Sequence, residues 1–227
     1  MNRYGYGQVP GMVPIKKKEP LNAQVFRTQR PESPEDLSQP LYDRVNYPAA
    51  GVGQLSFFSS PIGTSVTLIR AGATGTFAKT KRDTNLETQN VAPAKMFKLV
   101  GVSVAYIPVQ QAIGTANTGS IGDDIMRLKY GAAFEFLIGD KRILDLPVHI
   151  IPESNPIQSV STTITASSMI SSGTVQGIPM PMYKFNIPVT VNPYESFRAN
   201  FVFDGTVTLV QTMDVQLIFH AFMRRPG

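Results

Sequence analysis

The sequence predicts an all-β fold, an antiparallel β-sandwich, on three observations. Apolar and polar residues alternate in period two again and again: Phe185, Ile187, Val189, Val191; then Phe197, Ala199, Phe201, Phe203; then Val215, Leu217, Phe219, Ala221. Turn chemistry separates these runs, as at Asn192-Pro193 and Asp204-Gly205. Only one stretch, Asp123 to Tyr130, carries the marks of a helix, with acids at its start and bases near its end. Successive side chains of a strand point to opposite faces, so each alternating run can lay one apolar row on a core.

Taken in order, residues 1–48 hold seven prolines, at 10, 14, 20, 31, 34, 40 and 48, with neither a helical nor an alternating apolar period. Proline fixes φ and restricts the residue before it, so this segment is expected to be an extended arm with no core of its own. Residues 53–60 and 65–71 form two short strand candidates around Pro61-Ile62-Gly63. Residues 71–95 are expected as a polar loop whose mixed charges, Lys79, Lys81, Arg82, Asp83 and Glu87, are solvated or interfacial. Strands are then expected at 97–107, 132–138, 142–151, 160–165, 183–191, 196–203, 206–211 and 213–224. Pro147 marks its strand as an edge or a bulge. Eight strands and one short helix predict a single jelly roll over residues 49–227. An immunoglobulin-like sandwich is the competitor, without its usual Cys and Trp markers.

The net charge of +5 is unevenly placed. Arg3, Lys16, Lys17, Lys18, Arg27 and Arg30 lie in the first 30 residues against the single acid Glu19; taking these from totals of 21 basic and 16 acidic residues leaves 15 of each. A basic arm can neutralise phosphates. These six residues are the candidate assembly contacts, open to a neighbouring subunit, nucleic acid or an internal membrane.

Chemistry is harder to place. Cysteine is absent, so disulfides, thiolate zinc sites and cysteine nucleophiles are excluded. No apolar run approaches a membrane span and no signal-peptide block opens the chain, which predicts a soluble protein made in the cytoplasm. His149 and His220 each stand opposite an apolar row, and two isolated histidines do not make the His/Glu cluster of a metal-binding barrel. Asp123-Asp124, with Asp140, Asp204 and Asp214 in turns, could offer oxygens to calcium; local hydrogen bonding is the commoner use of such residues. Met213 and Met223 read as core filler. No nucleophile elbow or phosphate-cradling glycine loop is present. We therefore expect no catalytic residue, cofactor, metal or small-molecule substrate. Only 16% of residues are charged, against about 25% in an average soluble chain, which suggests a surface that meets other protein.

The order LYDRVNYPAAGVGQLSFFSSPIG, then KTKRDTNLETQNVAPAKMFKLVGVSVAYIP, then DVQLIFHAFMRR resembles virion proteins of bacteriophages, in particular jelly-roll capsid proteins of tailless icosahedral phages. The resemblance runs from about Leu41 to Arg224. It implies a major capsid subunit, located in the virion, whose partners are copies of itself and other virion proteins, with an arm that runs beneath its neighbours. It also implies no catalytic residues. A carbohydrate- or receptor-binding module of a phage spike or tail is the alternative expectation.

Overall fold

The computed structural model describes residues 36–89, 95–109, 121–154 and 181–224. Eleven strands and one α-helix are placed: β1 Asp36–Ser38, β2 Leu41–Tyr47, β3 Gln54–Phe57, β4 Ser65–Arg70, β5 Ala73–Ala78, β6 Met96–Pro108, the helix Ile121–Tyr130, β7 Ala132–Ile138, β8 Lys141–Pro147, β9 Tyr183–Val191, β10 Phe197–Phe203 and β11 Met213–Arg224. All strand pairs are antiparallel. β11 is the hub of the first sheet: β2 and β1 pair along one side of it, from Tyr47 opposite Met213 to Asp36 opposite Arg224, and β6 then β9 follow on the other side. The second sheet runs β3-β10-β7-β8, and β4-β5 is a separate hairpin.

Alternation explains the packing. Val215, Leu217, Phe219 and Ala221 of β11 are buried beside half-buried Gln216, Ile218 and His220. Phe134 and Phe136 of β7 and Phe197, Ala199 and Phe201 of β10 supply the facing row. Phe219 sits 4.8 Å from the Phe136 ring and 5.9 Å from Phe58, so the two sheets share one aromatic core. Full burial of each such ring is worth about 1.5–3 kcal/mol. The chain is thus an all-β, antiparallel sandwich.

Four elements depart from the sequence expectations. Residues 36–47 are not arm: they form β1 and β2, with Leu41 and Tyr47 fully buried, so the body begins well before residue 49. Ala73–Ala78 is a strand rather than loop, paired to β4 through the turn Ala71–Gly72, where φ of 49° and 79° is the left-handed geometry of a two-residue hairpin. Residues 206–211 form a loop although Val207 and Leu209 alternate with Thr206 and Thr208. The expected strand 142–151 stops at Pro147, where a 3₁₀ turn Val148–Ile150 takes over and leaves Ile150 exposed. β8 is an edge strand with a register shift opposite Phe136/Leu137, as Pro147 foretold. The expected strand at 160–165 lies outside the described residues.

Candidate functional site

Arg3, Lys16, Lys17, Lys18, Arg27 and Arg30 all lie outside the described residues, and so does the rest of the expected arm up to residue 35. What the structure does assemble is a cluster of buried charge that the sequence did not announce.

The cluster grows from β2, whose sequence LYDRVNY breaks its apolar alternation with Asp43, Arg44 and Asn46. Asp43 is fully buried; Lys79 Nζ donates to its Oδ1 at 2.6 Å and the Phe58 N–H to its Oδ2 at 2.7 Å. Burial pushes the Asp43 carboxyl above its usual pKa, against the pull of Lys79. On the other face of β2, Arg44 Nε donates to Asp214 Oδ2 at 2.7 Å and Nη2 to the Ile69 carbonyl at 2.5 Å. Asp214 also accepts from the Ile69 N–H and from Asn46 Nδ2. Asp83 takes Arg70 Nη2 at 2.6 Å, with Arg44 Nη1 3.9 Å away, and accepts from the Thr80 N–H and hydroxyl. Lys79 and Asp83 are therefore not the solvated loop charges expected, and Asp214 belongs to β11 rather than to a turn.

Three acids face three bases here, and each carboxylate is committed to cations or N–H and hydroxyl donors. The arrangement fastens the β4-β5 hairpin and the following loop onto β2 and β11; Asp83 Oδ1, the one oxygen of the three carboxylates buried without a hydrogen bond, faces Arg44 Nη1. The same loop closes the outer edge of β2. Tyr42 N–H donates to Asn85 Oδ1, the Tyr42 carbonyl accepts from Asn85 N–H and the Thr84 hydroxyl, and Asn85 Nδ2 donates to the Pro40 carbonyl.

The opposite edge of this sheet, β9, is built differently. It pairs with β6 in two pieces, Val191–Val189 against Phe97–Leu99 and Lys184–Tyr183 against Gly101–Val102. Residues 185–188 bulge out opposite Val100, and Ile187 at the bulge is 81% exposed. A Cβ on Gly101 would stand 2.7 Å from the Tyr183 carbonyl oxygen, so the two strands can approach here only because residue 101 is glycine.

Of the remaining expected candidates, Asp124, both histidines and both methionines have structural partners, and Asp140 stands 3.7 Å from Arg198. Asp124 is buried, and its carboxylate accepts from the Val210 and Gln211 N–H groups at 3.0–3.1 Å, which holds 206–211 as a loop against the helix. His220 shares a 2.9 Å hydrogen bond with the Ser103 hydroxyl, and burial lowers its pKa. His149 lies in the 3₁₀ turn, not in a strand, and stacks on Tyr130 at 5.2 Å. Met213 and Met223 are buried in the core. Among the described residues no three His, Cys, Asp or Glu side chains converge as a metal site. No protein-family model matches the chain, and neither does any curated protein or solved structure.

Proposed function

We propose that this chain is a structural virion protein, the subunit of an icosahedral phage shell. The observation that carries the proposal is the nesting of the strands. Outside the β4-β5 hairpin and the short β1, eight strands pair first with last, second with seventh, third with sixth and fourth with fifth: β2 with β11, β3 with β10, β6 with β9, β7 with β8. Rolling one long antiparallel hairpin into two sheets would give this order, and it supports reading the sandwich as a jelly roll of the kind many capsid domains use. The resemblance from Leu41 to Arg224, the low charge and the basic, proline-rich N-terminal segment point the same way. In this reading the jelly roll meets neighbouring copies, and the arm ties them together or contacts nucleic acid or membrane.

The test is the mass of the full chain in solution at low and high salt, by light scattering, followed by negative-stain imaging. Closed particles or stable trimers or pentamers are expected. A strict monomer under every condition would sink the shell reading and favour the spike or tail module. That alternative needs an aromatic patch, yet the two most exposed tyrosines among the described residues stand apart: Tyr130 precedes β7 and Tyr194 precedes β10, whose starts lie at opposite ends of their ladder. Removing residues 1–34 tests the arm, since deletion past 35 would cut into the sheet; the shortened protein should fold and fail to assemble.

A further inference from the structure

We propose that the outer face of the first sheet carries a phosphate-binding groove, beside the Ala71–Gly72 turn, that takes the phosphodiester of a nucleic-acid strand. The groove encloses about 400 Å³ and is lined by Arg44, Arg70, Arg82 and Gln216 above Ile107 and Pro108. Its arginines come from β2, from β4 and from the loop after β5, so the fold itself brings them together.

The distribution of charge decides what fits. Asp83 and Asp214, the acids of this region, are fully buried behind the arginines. What faces outward is cationic or amide: Arg70 with a side chain 30% exposed, the exposed Arg82 and Lys81, and half-buried Gln216. Arg44 is spent on Asp214 and the Ile69 carbonyl. Arg70 directs Nη2 to Asp83 and the Ala78 carbonyl, its Nε is buried, and Nη1, with no acceptor among the described residues, is the nitrogen left for a ligand; the guanidinium is held over the Phe77 ring at 5.1 Å. Arg82 forms no ion pair among the described residues, and its backbone N–H is fixed by the Thr80 hydroxyl. Arg70, anchored by Asp83 and the Phe77 ring, and the exposed Arg82 beside it offer N–H donors that match phosphate oxygens, because planar forks bind such anions with two parallel hydrogen bonds. The apolar floor of Ile107 and Pro108 gives a sugar or base a surface to lie on, which favours a strand over a bare ion.

The groove needs no assembled shell, so this proposal stands or falls apart from the capsid reading. The experiment titrates the full chain into a labelled single-stranded oligonucleotide across a salt series, read by fluorescence anisotropy, with inorganic pyrophosphate as competitor. Wild type, R82A, R82A/Q216A, R82K and the arm variant K16A/K17A/K18A are compared, each checked for an unchanged unfolding midpoint. R82A/Q216A should weaken binding about tenfold and flatten the salt slope by roughly 0.7 for each phosphate contact removed. R82K, which keeps the charge but loses the fork, should fall between. The arm variant should keep the response to R82A, and pyrophosphate should compete at the groove. Unchanged affinity and slope in R82A/Q216A would overturn the proposal. So would binding abolished by the arm variant alone, competition by pyrophosphate without any strand binding, or Arg82-dependent binding to anionic vesicles without binding to the oligonucleotide.

Discussion

The first sheet ends in two edges that solve one problem by opposite means. An unpaired strand edge invites pairing with another chain. β2 is sealed by its own chain: Thr84 and Asn85 occupy its outer backbone groups, and buried ion pairs clamp the covering segment. Among the described residues β9 has no second partner strand, and its edge is blunted by shape, through the 185–188 bulge, the exposed Pro188 that lacks a donor, and Lys184. The difference teaches where rigidity and where contact are located. A clamp made of buried charge is costly to disturb, whereas a bulged edge can change its surface at little cost to the fold.

The largest expected effect is at the clamp. Lys79→Met leaves the Asp43 carboxylate buried with only the Phe58 amide and the Thr84 side chain and no cation, and breaking such a pair costs about 3–5 kcal/mol. Acid should return part of that loss. Burial already raises Asp43 in the folded state, and removing Lys79 takes away the pull that opposes it. As pH falls through that raised value toward the unfolded one, the folded protein binds a proton the unfolded chain does not, so stability rises. Urea unfolding of K79M against wild type from neutral pH down to about pH 4 reads this directly; a deficit that widens in acid would contradict the assignment. The double variant D43N/K79M should lose less than K79M alone.

At the open edge, Gly101→Ala drives a methyl into the Tyr183 carbonyl and should cost about 1–3 kcal/mol, with β9 amides exchanging faster than those of β2. Back on the hairpin, Ala71 holds a left-handed φ of 49°. Ala71→Gly relieves strain of about 1–2 kcal/mol but gives up chain entropy, for a net gain of roughly 0.5 kcal/mol in unfolding free energy, read as a small rise in the unfolding midpoint. Smallest of all for stability is Ile187→Lys, within about 0.5 kcal/mol. Its effect should appear instead as a lower assembled mass, which would locate contact at the blunted edge and not at the sealed one.

The same contrast explains what was legible in the sequence. β11 could be read because Val215, Leu217, Phe219 and Ala221 keep period two. β2 could not: its Asp43 and Arg44 look like solvent positions, and their burial depends on Lys79, Ile69 and Asp214, distant in sequence. β5 hid for another reason, since ATGTFA has one large apolar residue and is a strand only because β4 supplies its ladder. Residues 206–211 misled in the other direction. Their alternation is real, but Tyr47 and Arg127 occupy the carbonyls of Val207 and Thr208, and Asp124 takes the N–H groups of Val210 and Gln211. Of the eight strands expected from residue 97 onward, six stand as β6 to β11, 206–211 is a loop and 160–165 lies outside the described residues; β2 and β3 complete the nested set. The arginine groove left no local signature, because Arg44, Arg70 and Arg82 meet only once the hairpin lies on the sheet.

β11 is the hub of the first sheet and also the last of its strands to be synthesised. Until it leaves the ribosome, β1, β2 and β6 have no partner in common, and the nested ladder β2-β11 is the longest-range pairing of the eight strands. Such non-local closure makes folding slow. It also means that a chain interrupted before Met213 cannot close the first sheet, so incomplete products lack the surface on which assembly would depend.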